Sequence, residues 1–208
     1  MLVALGDSVT RGFDGYHDLF TGTYPQDLEK ILGEKVINQG VDAATLSGPF
    51  LGDMTSQIKN THFPQYNGVL LFYGTNDYDH THHDLKQITT VLKKNLKFIQ
   101  KNYPKLKIWG ILPLTRYDNY HNDDDVKNAV GFTFKQLIAA LAKTYRQCGV
   151  PALNWEADPH PIITDANYKK RLNDEHVHPT RATYQLMAQR IAKFIKVIIS
   201  AETATCSA

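Results

Sequence analysis

The chain has 208 residues, 42% of them hydrophobic and 21% charged, and a formal net charge of +2. That is the composition of one ordinary globular domain, long enough to bury a real core. Lys and Arg are scattered, which argues against a nucleic-acid face, and no apolar run approaches the ~20 residues that cross a bilayer.

Residues 1–5 read as a short apolar strand. Gly6-Asp7-Ser8-Val9-Thr10 follows it, so a serine hydroxyl stands where the strand ends, next to a glycine. A capping serine that opens a helix is the plain alternative. Residues 24–32 read as a short helix, with Leu28, Ile31 and Leu32 on one face and Gly33 as its stop. Residues 35–39 form a brief strand that ends at Gly40. Residues 41–59 are ambiguous, with a weakly helical piece around Met54 and Ile58.

Val69, Leu70, Leu71 and Phe72 make the clearest strand, an unbroken apolar run suited to burial on both faces of a parallel sheet. Asp84 opens a helix, with Gln87 as its capping-box partner. Leu85, Ile88, Leu92, Leu96 and Ile99 recur at helical spacing until Pro104. Residues 106–112 read as a fourth strand. Val126, Val130, Phe134, Leu137, Leu141 and Tyr145 mark a helix that ends at Gly149. Residues 150–155 read as a fifth strand, and 156–178 as a long irregular loop. A last helix opens at Thr180 and carries Tyr184, Met187, Ile191, Phe194 and Ile198.

Strands and helices thus alternate about five times, which predicts a three-layer α/β/α sandwich around a parallel sheet. The expected organisation is a single domain over 1–200 and a polar tail over 201–208. The lysines at 93, 94, 97 and 101 read as a solvated helix face. Cys148 and Cys206 have nothing to pair them, which suggests free thiols and a reducing compartment. The first strand begins at once, so no signal peptide is expected. The expectation is a cytoplasmic protein, or a secreted one whose signal has been removed. Oligomeric state is left open.

Ser8, Gly40, the tetrapeptide Gly74-Thr75-Asn76-Asp77 and His178 all follow predicted strands, and so converge on one rim of the sheet. Acyl transfer needs a nucleophile, a base and donors for an oxyanion. Ser8 can attack and His178 can take its proton. The backbone N–H groups of Ser8 and Gly40 and the side-chain amide of Asn76 are candidate donors. Singly, Gly40 and Asn76 read as turn residues and His178 as a helix opener; their joint placement is what those readings do not explain.

The blocks Gly6-Asp7-Ser8-Val9, Asn38-Gln39-Gly40-Val41, Gly74-Thr75-Asn76-Asp77 and His178-Pro179-Thr180 resemble, in order and spacing, those of the SGNH hydrolases, also called GDSL esterases/lipases. The resemblance implies a flavodoxin-like five-stranded sheet of order 2-1-3-4-5 and a serine esterase with no cofactor and no metal. Its four named residues would be Ser8, Gly40, Asn76 and His178. No Gly-x-Ser-x-Gly surrounds Ser8, so the α/β-hydrolase elbow does not apply. In the family an Asp stands three residues before the His. Here that position is Glu175, and Asp174 lies one place earlier. Spacing favours Glu175 and residue type favours Asp174; of the two, Glu175 is the expected acid.

The implied reaction is hydrolysis of carboxylic esters, of short acyl groups because the rim loops at 114–125 and 156–178 are polar. Sugar O-deacetylation, lysophospholipase and thioesterase activities are alternatives within the same chemistry. Tyr117, Tyr120 and Tyr168 are candidate substrate contacts. Two other classes are a metal-binding protein, from His80, His82 and His83 beside Asp77, Asp79 and Asp84, or from His121 beside Asp123–Asp125, and a non-catalytic ligand-binding module on the same fold.

Overall fold

The computed structural model describes residues 1–206, and of residues 202 and 204–206 the backbone alone. Five strands, β1 (Leu2–Gly6), β2 (Val36–Gly40), β3 (Gly68–Phe72), β4 (Lys107–Ile111) and β5 (Ala152–Leu153), form one sheet in the order β2-β1-β3-β4-β5, every pair parallel. This is the expected doubly wound order. The chain leaves β1 toward β2 and then returns to the other side of β1 for β3. The carboxyl ends of β1 and β3 therefore flank the switch point where such sheets carry their sites.

Successive strand residues point to opposite faces. Val3, Leu5, Val69 and Leu71 pack one way, against α3 (Met54–Asn60), α4 (Leu85–Asn102) and α5 (Phe134–Gln147). Leu2, Ala4, Leu70 and Phe72 pack the other way, against α2 (Tyr24–Leu32) and α7 (Arg181–Cys206). Two one-turn helices complete the set, α1 (Ser8–Arg11) after β1 and α6 (Tyr168–Arg171) inside the loop read as irregular. A small antiparallel ribbon pairs Tyr117–Asp118 with His121–Asn122. Among the described residues no helix is long and apolar enough to cross a membrane.

Three boundaries differ from expectation. The periodicity beginning at Val126 does not start a helix there. Asn128 Oδ1 accepts the N–H groups of Val130, Gly131 and Phe132, a local turn that competes with helix, and the capping box of Thr133 and Gln136 begins α5 instead. The fifth strand shrinks to two residues. The last helix runs on to Cys206, through the first six residues read as a tail. Cys148 is a free thiol just after α5, and the side chain of Cys206 lies outside the described residues.

Candidate active site

Gly6 ends β1, and its φ is not positive. Glycine is required there by space: a Cβ would stand 2.1 Å from Thr10 Oγ1 and 2.6 Å from the Phe72 carbonyl oxygen. Asp7 then caps α1, with Oδ1 accepting the Val9 N–H at 2.9 Å. Ser8 is the first residue of that helix, so its own N–H has no intrahelical partner.

Ser8 Oγ lies 3.0 Å from His178 Nε2, and His178 Nδ1 lies 2.6 Å from Asp174 Oδ2. The imidazole is also braced edge-on by Phe13, at a centroid distance of 4.9 Å. The other oxygen of Asp174 accepts the backbone N–H groups of His176, Val177 and His178 at 2.9–3.0 Å. Burial raises the pKa of this carboxyl, but the bonds from His178 and from the backbone outweigh it and hold the group at about 2.

Glu175 is not in this constellation. Its φ of +56° turns the chain through the left-handed region, and its carboxylate lies 3.4 Å from Lys169 Nζ. The left-handed residue absorbs the extra position between acid and histidine, so the spacing argument for Glu175 fails and Asp174 is the partner of His178. Gly15, at φ +100°, allows the approach: a Cβ there would meet Asp174 Cβ at 2.6 Å.

Gly40 requires a second correction. Its N–H donates to Asn38 Oδ1 at 2.9 Å and so is not free for an oxyanion. The glycine fits beneath the end of α1, where a Cβ would stand 2.1 Å from the Arg11 nitrogen. Three residues on, exposed Ala43 adopts φ +56°, rare for a residue with a Cβ, and among the described residues its N–H has no partner. The segment carrying it is tied at both ends. Val41 N–H donates to the Gly6 carbonyl beside the nucleophile, and Ala44 C=O accepts from Asn76 Nδ2 at 2.9 Å. Asn76 has a second amide hydrogen that this bond does not use.

Asp77 holds the adjoining loop. It accepts the N–H groups of Leu46 and Ser47 and, at 2.5 Å, the Ser47 hydroxyl. Burial pushes its carboxyl up to about 6 against those bonds.

Behind the 174–178 turn sits Arg116, 1% exposed. It donates to Asp123 at 3.0 Å, to the Thr75 carbonyl at 3.0 Å, to Asp79 at 2.9 Å and to both oxygens of Asp118 at 3.0 Å. His176 Nε2 touches both Arg116 and Asp118. Burial and the neighbouring Asp118 push Asp123 up to about 7. Burial opposes ionisation of Asp118 as well, but His176, Asp123 and Arg116 hold that group well below the usual carboxylate range. Two of the acids read as metal ligands are therefore partners of a buried guanidinium. Among the described residues, no three His, Cys, Asp or Glu side chains gather as a metal site.

A serine bonded to a histidine and a histidine bonded to a buried carboxylate, at the carboxyl rim of a doubly wound sheet, define a serine hydrolase of the three-layer α/β type. Residues 4–186 match the model of the GDSL-like Lipase/Acylhydrolase family, and the chain belongs to that family. It is an acylhydrolase, an enzyme that hydrolyses carboxylic esters. No curated protein matches the sequence. Among solved structures, a protein from Lactobacillus plantarum is 20% identical, with a TM-score of 0.77 over 94% of this chain and 96% of that one. An inhibitor-bound aryl esterase from M. smegmatis is 19% identical, with a TM-score of 0.68 over 94% and 98%. A carbohydrate acetylesterase family member from Sinorhizobium meliloti is 17% identical, with a TM-score of 0.66 over 96% and 98%. At such identities the likeness is one of fold.

Proposed function

We propose that the enzyme cleaves esters of short carboxylic acids through an acyl-enzyme on Ser8, with His178 as base and Asp174 as the acid of the triad. The observation that carries the reading is the chain of two bonds, 3.0 Å from Ser8 Oγ to His178 and 2.6 Å from His178 to Asp174. Ser8 Oγ attacks the carbonyl carbon while its proton moves to His178 Nε2. The oxyanion takes hydrogen bonds from the N–H groups of Ser8 and Ala43 and from the free amide hydrogen of Asn76. Collapse expels the alcohol, which leaves with the proton from His178. Water then repeats the sequence on the acyl-serine and releases the acid.

One observation supports short acyl groups. A cavity of about 470 Å³ beside Asp174 is walled by the polar Asp79, Asp118, Asn119, Glu175 and His176 together with Tyr117 and Tyr120, a lining with no aliphatic side chain to host an alkyl tail. The test is a series of p-nitrophenyl esters on the native enzyme and Ser8→Ala. The native rate should fall beyond about butyrate, and Ser8→Ala should lose activity on the order of 10⁴–10⁶-fold. A rate that climbs past octanoate rejects the short-acyl reading; activity retained in Ser8→Ala rejects the mechanism.

A further inference from the structure

Next to Ala43 opens a second cavity, of about 400 Å³, lined by Gly48, Pro49, Phe50, His80 and His83 among others. Phe50 is 72% exposed, an apolar ring offered to whatever enters. His83 is held by an unusual pair of bonds. Its Nδ1 lies 3.0 Å from Ser47 Oγ, and Ser47 Oγ lies 2.5 Å from Asp77 Oδ1. Asp77 also accepts two backbone N–H groups, so it behaves as a carboxylate and the single hydroxyl hydrogen of Ser47 goes to it. Ser47 is then an acceptor toward the imidazole, and the ring proton must sit on Nδ1. In the singly protonated ring that leaves Nε2 as a bare acceptor, and among the described residues it has no partner.

This is not a second catalytic serine. The Ser47 proton is already on its way to a carboxylate, and the hydroxyl is buried. What the relay does is fix one tautomer of His83. An imidazole nitrogen that carries no proton recognises a donor, and an ester's own oxygens and carbons supply none. A free hydroxyl on the alcohol portion does. Phe50 and Pro49 add apolar faces of the kind that cover the C–H side of a polyol ring.

Building on the Ser8 mechanism above, we infer that this cavity is the alcohol subsite and that His83 selects esters of polyhydroxylated alcohols by accepting a hydroxyl hydrogen bond. His83 acts through binding of the leaving portion and not on the reacting atoms.

The test compares kcat/KM for 6-O-acetylglucose and for ethyl acetate, which share one acyl-enzyme. In the native enzyme the glucose ester should be the better substrate. His83→Phe should lower the glucose-to-ethyl ratio roughly five- to thirty-fold, mainly through KM, as expected for one lost hydrogen bond to a partly buried acceptor. His83→Gln, which keeps an acceptor, should recover most of the ratio. An unchanged ratio in His83→Phe, or equal losses on both esters with a lowered Tm, overturns the inference. If the native enzyme cleaves ethyl acetate in a Ser8-dependent way but prefers it to the glucose ester, the subsite reading falls and the Ser8 mechanism stands. If neither ester is cleaved while p-nitrophenyl acetate is cleaved in a Ser8-dependent way, the subsite reading falls and the Ser8 mechanism stands.

Discussion

Asp174 holds His178 twice, with Oδ2 2.6 Å from the ring Nδ1 and Oδ1 3.0 Å from the backbone nitrogen of the same residue. One carboxylate thus sets both the tautomer of the base and the turn that presents it. Asp174→Asn should lower kcat/KM on the order of 10³–10⁴-fold, because the amide either loses the ring bond or favours the wrong tautomer. Glu175→Gln should change it by less than about threefold, since the ion partner of Glu175 among the described residues is Lys169 at the surface. Steady-state kinetics on p-nitrophenyl acetate decide the matter. A crippled Glu175→Gln beside an active Asp174→Asn would reverse the assignment.

The oxyanion donors make a paired prediction. Asn76→Ala removes the amide proposed to meet the developing charge and also frees the Ala44 carbonyl, so kcat should drop about 10²–10³-fold with a smaller change in KM. Ala43→Gly keeps the backbone N–H and removes a Cβ from a left-handed position. It should retain activity and gain roughly 0.5–1 kcal/mol in stability, read from urea denaturation. A loss of kcat in Ala43→Gly would mean that the methyl group itself shapes the site.

Arg116 concerns the support behind the triad. It is the cation for Asp79, Asp118 and Asp123, and Asp123 is as buried as the arginine itself, each side chain 2% exposed. Arg116→Met leaves the buried Asp123 without its cation, at a cost of about 3–5 kcal/mol at neutral pH, while Asp79 and Asp118 are exposed enough for water to replace it. The deficit should shrink toward pH 4, where the acids can take up protons. Chemical denaturation at pH 7.5 and pH 4.5 reads the difference, and a deficit that is the same at both would assign the loss to packing around Tyr78 instead.

What the sequence shows and what it hides divide along physical lines. The apolar run of β3, the opening strand before Ser8 and the capping box at Asp84 are local signals, and the fold follows from them. The rim position of Ser8, Asn76 and His178 follows from the alternation of strands and helices alone. The acid did not follow, because nothing in Asp174-Glu175-His176 announces that the glutamate turns left-handed. Gly40 drew attention as a residue without bulk, yet whether its N–H is free depends on the Asn38 side chain two residues earlier. Ala43 gave no signal at all, since an alanine with positive φ looks like any other alanine. Arg116 drew no reading in sequence, and its burial depends on Asp79 and His176, from two other segments, closing over it beside the acids of its own loop.

The last prediction concerns Asp7, next to the nucleophile. Its carboxyl is buried and pushed up to about 7, chiefly by the loss of water. The Val9 N–H, the charge of His178 and the Thr10 N–H pull the other way but do not cancel the burial. Oδ1 has the Val9 bond, whereas Oδ2 has no partner among the described residues. The sign follows from proton counting. Between about pH 4 and pH 7 the folded protein keeps a proton on Asp7 that the unfolded chain has released, so stability falls as pH rises through that window. Above about 7 both states are ionised and the penalty is constant. Asp7→Asn cannot titrate, and its side-chain oxygen can still cap α1. The substitution should therefore be close to neutral at pH 4 and stabilising by about 1–3 kcal/mol at pH 8, short of the ~4 kcal/mol that a full three-unit shift would carry. For a chain of this length that is a rise in Tm of several degrees. Calorimetry of both proteins from pH 4 to pH 8 measures it. A Tm difference that stays flat across the series would mean that Asp7 is ionised throughout, satisfied by a partner such as an internal water.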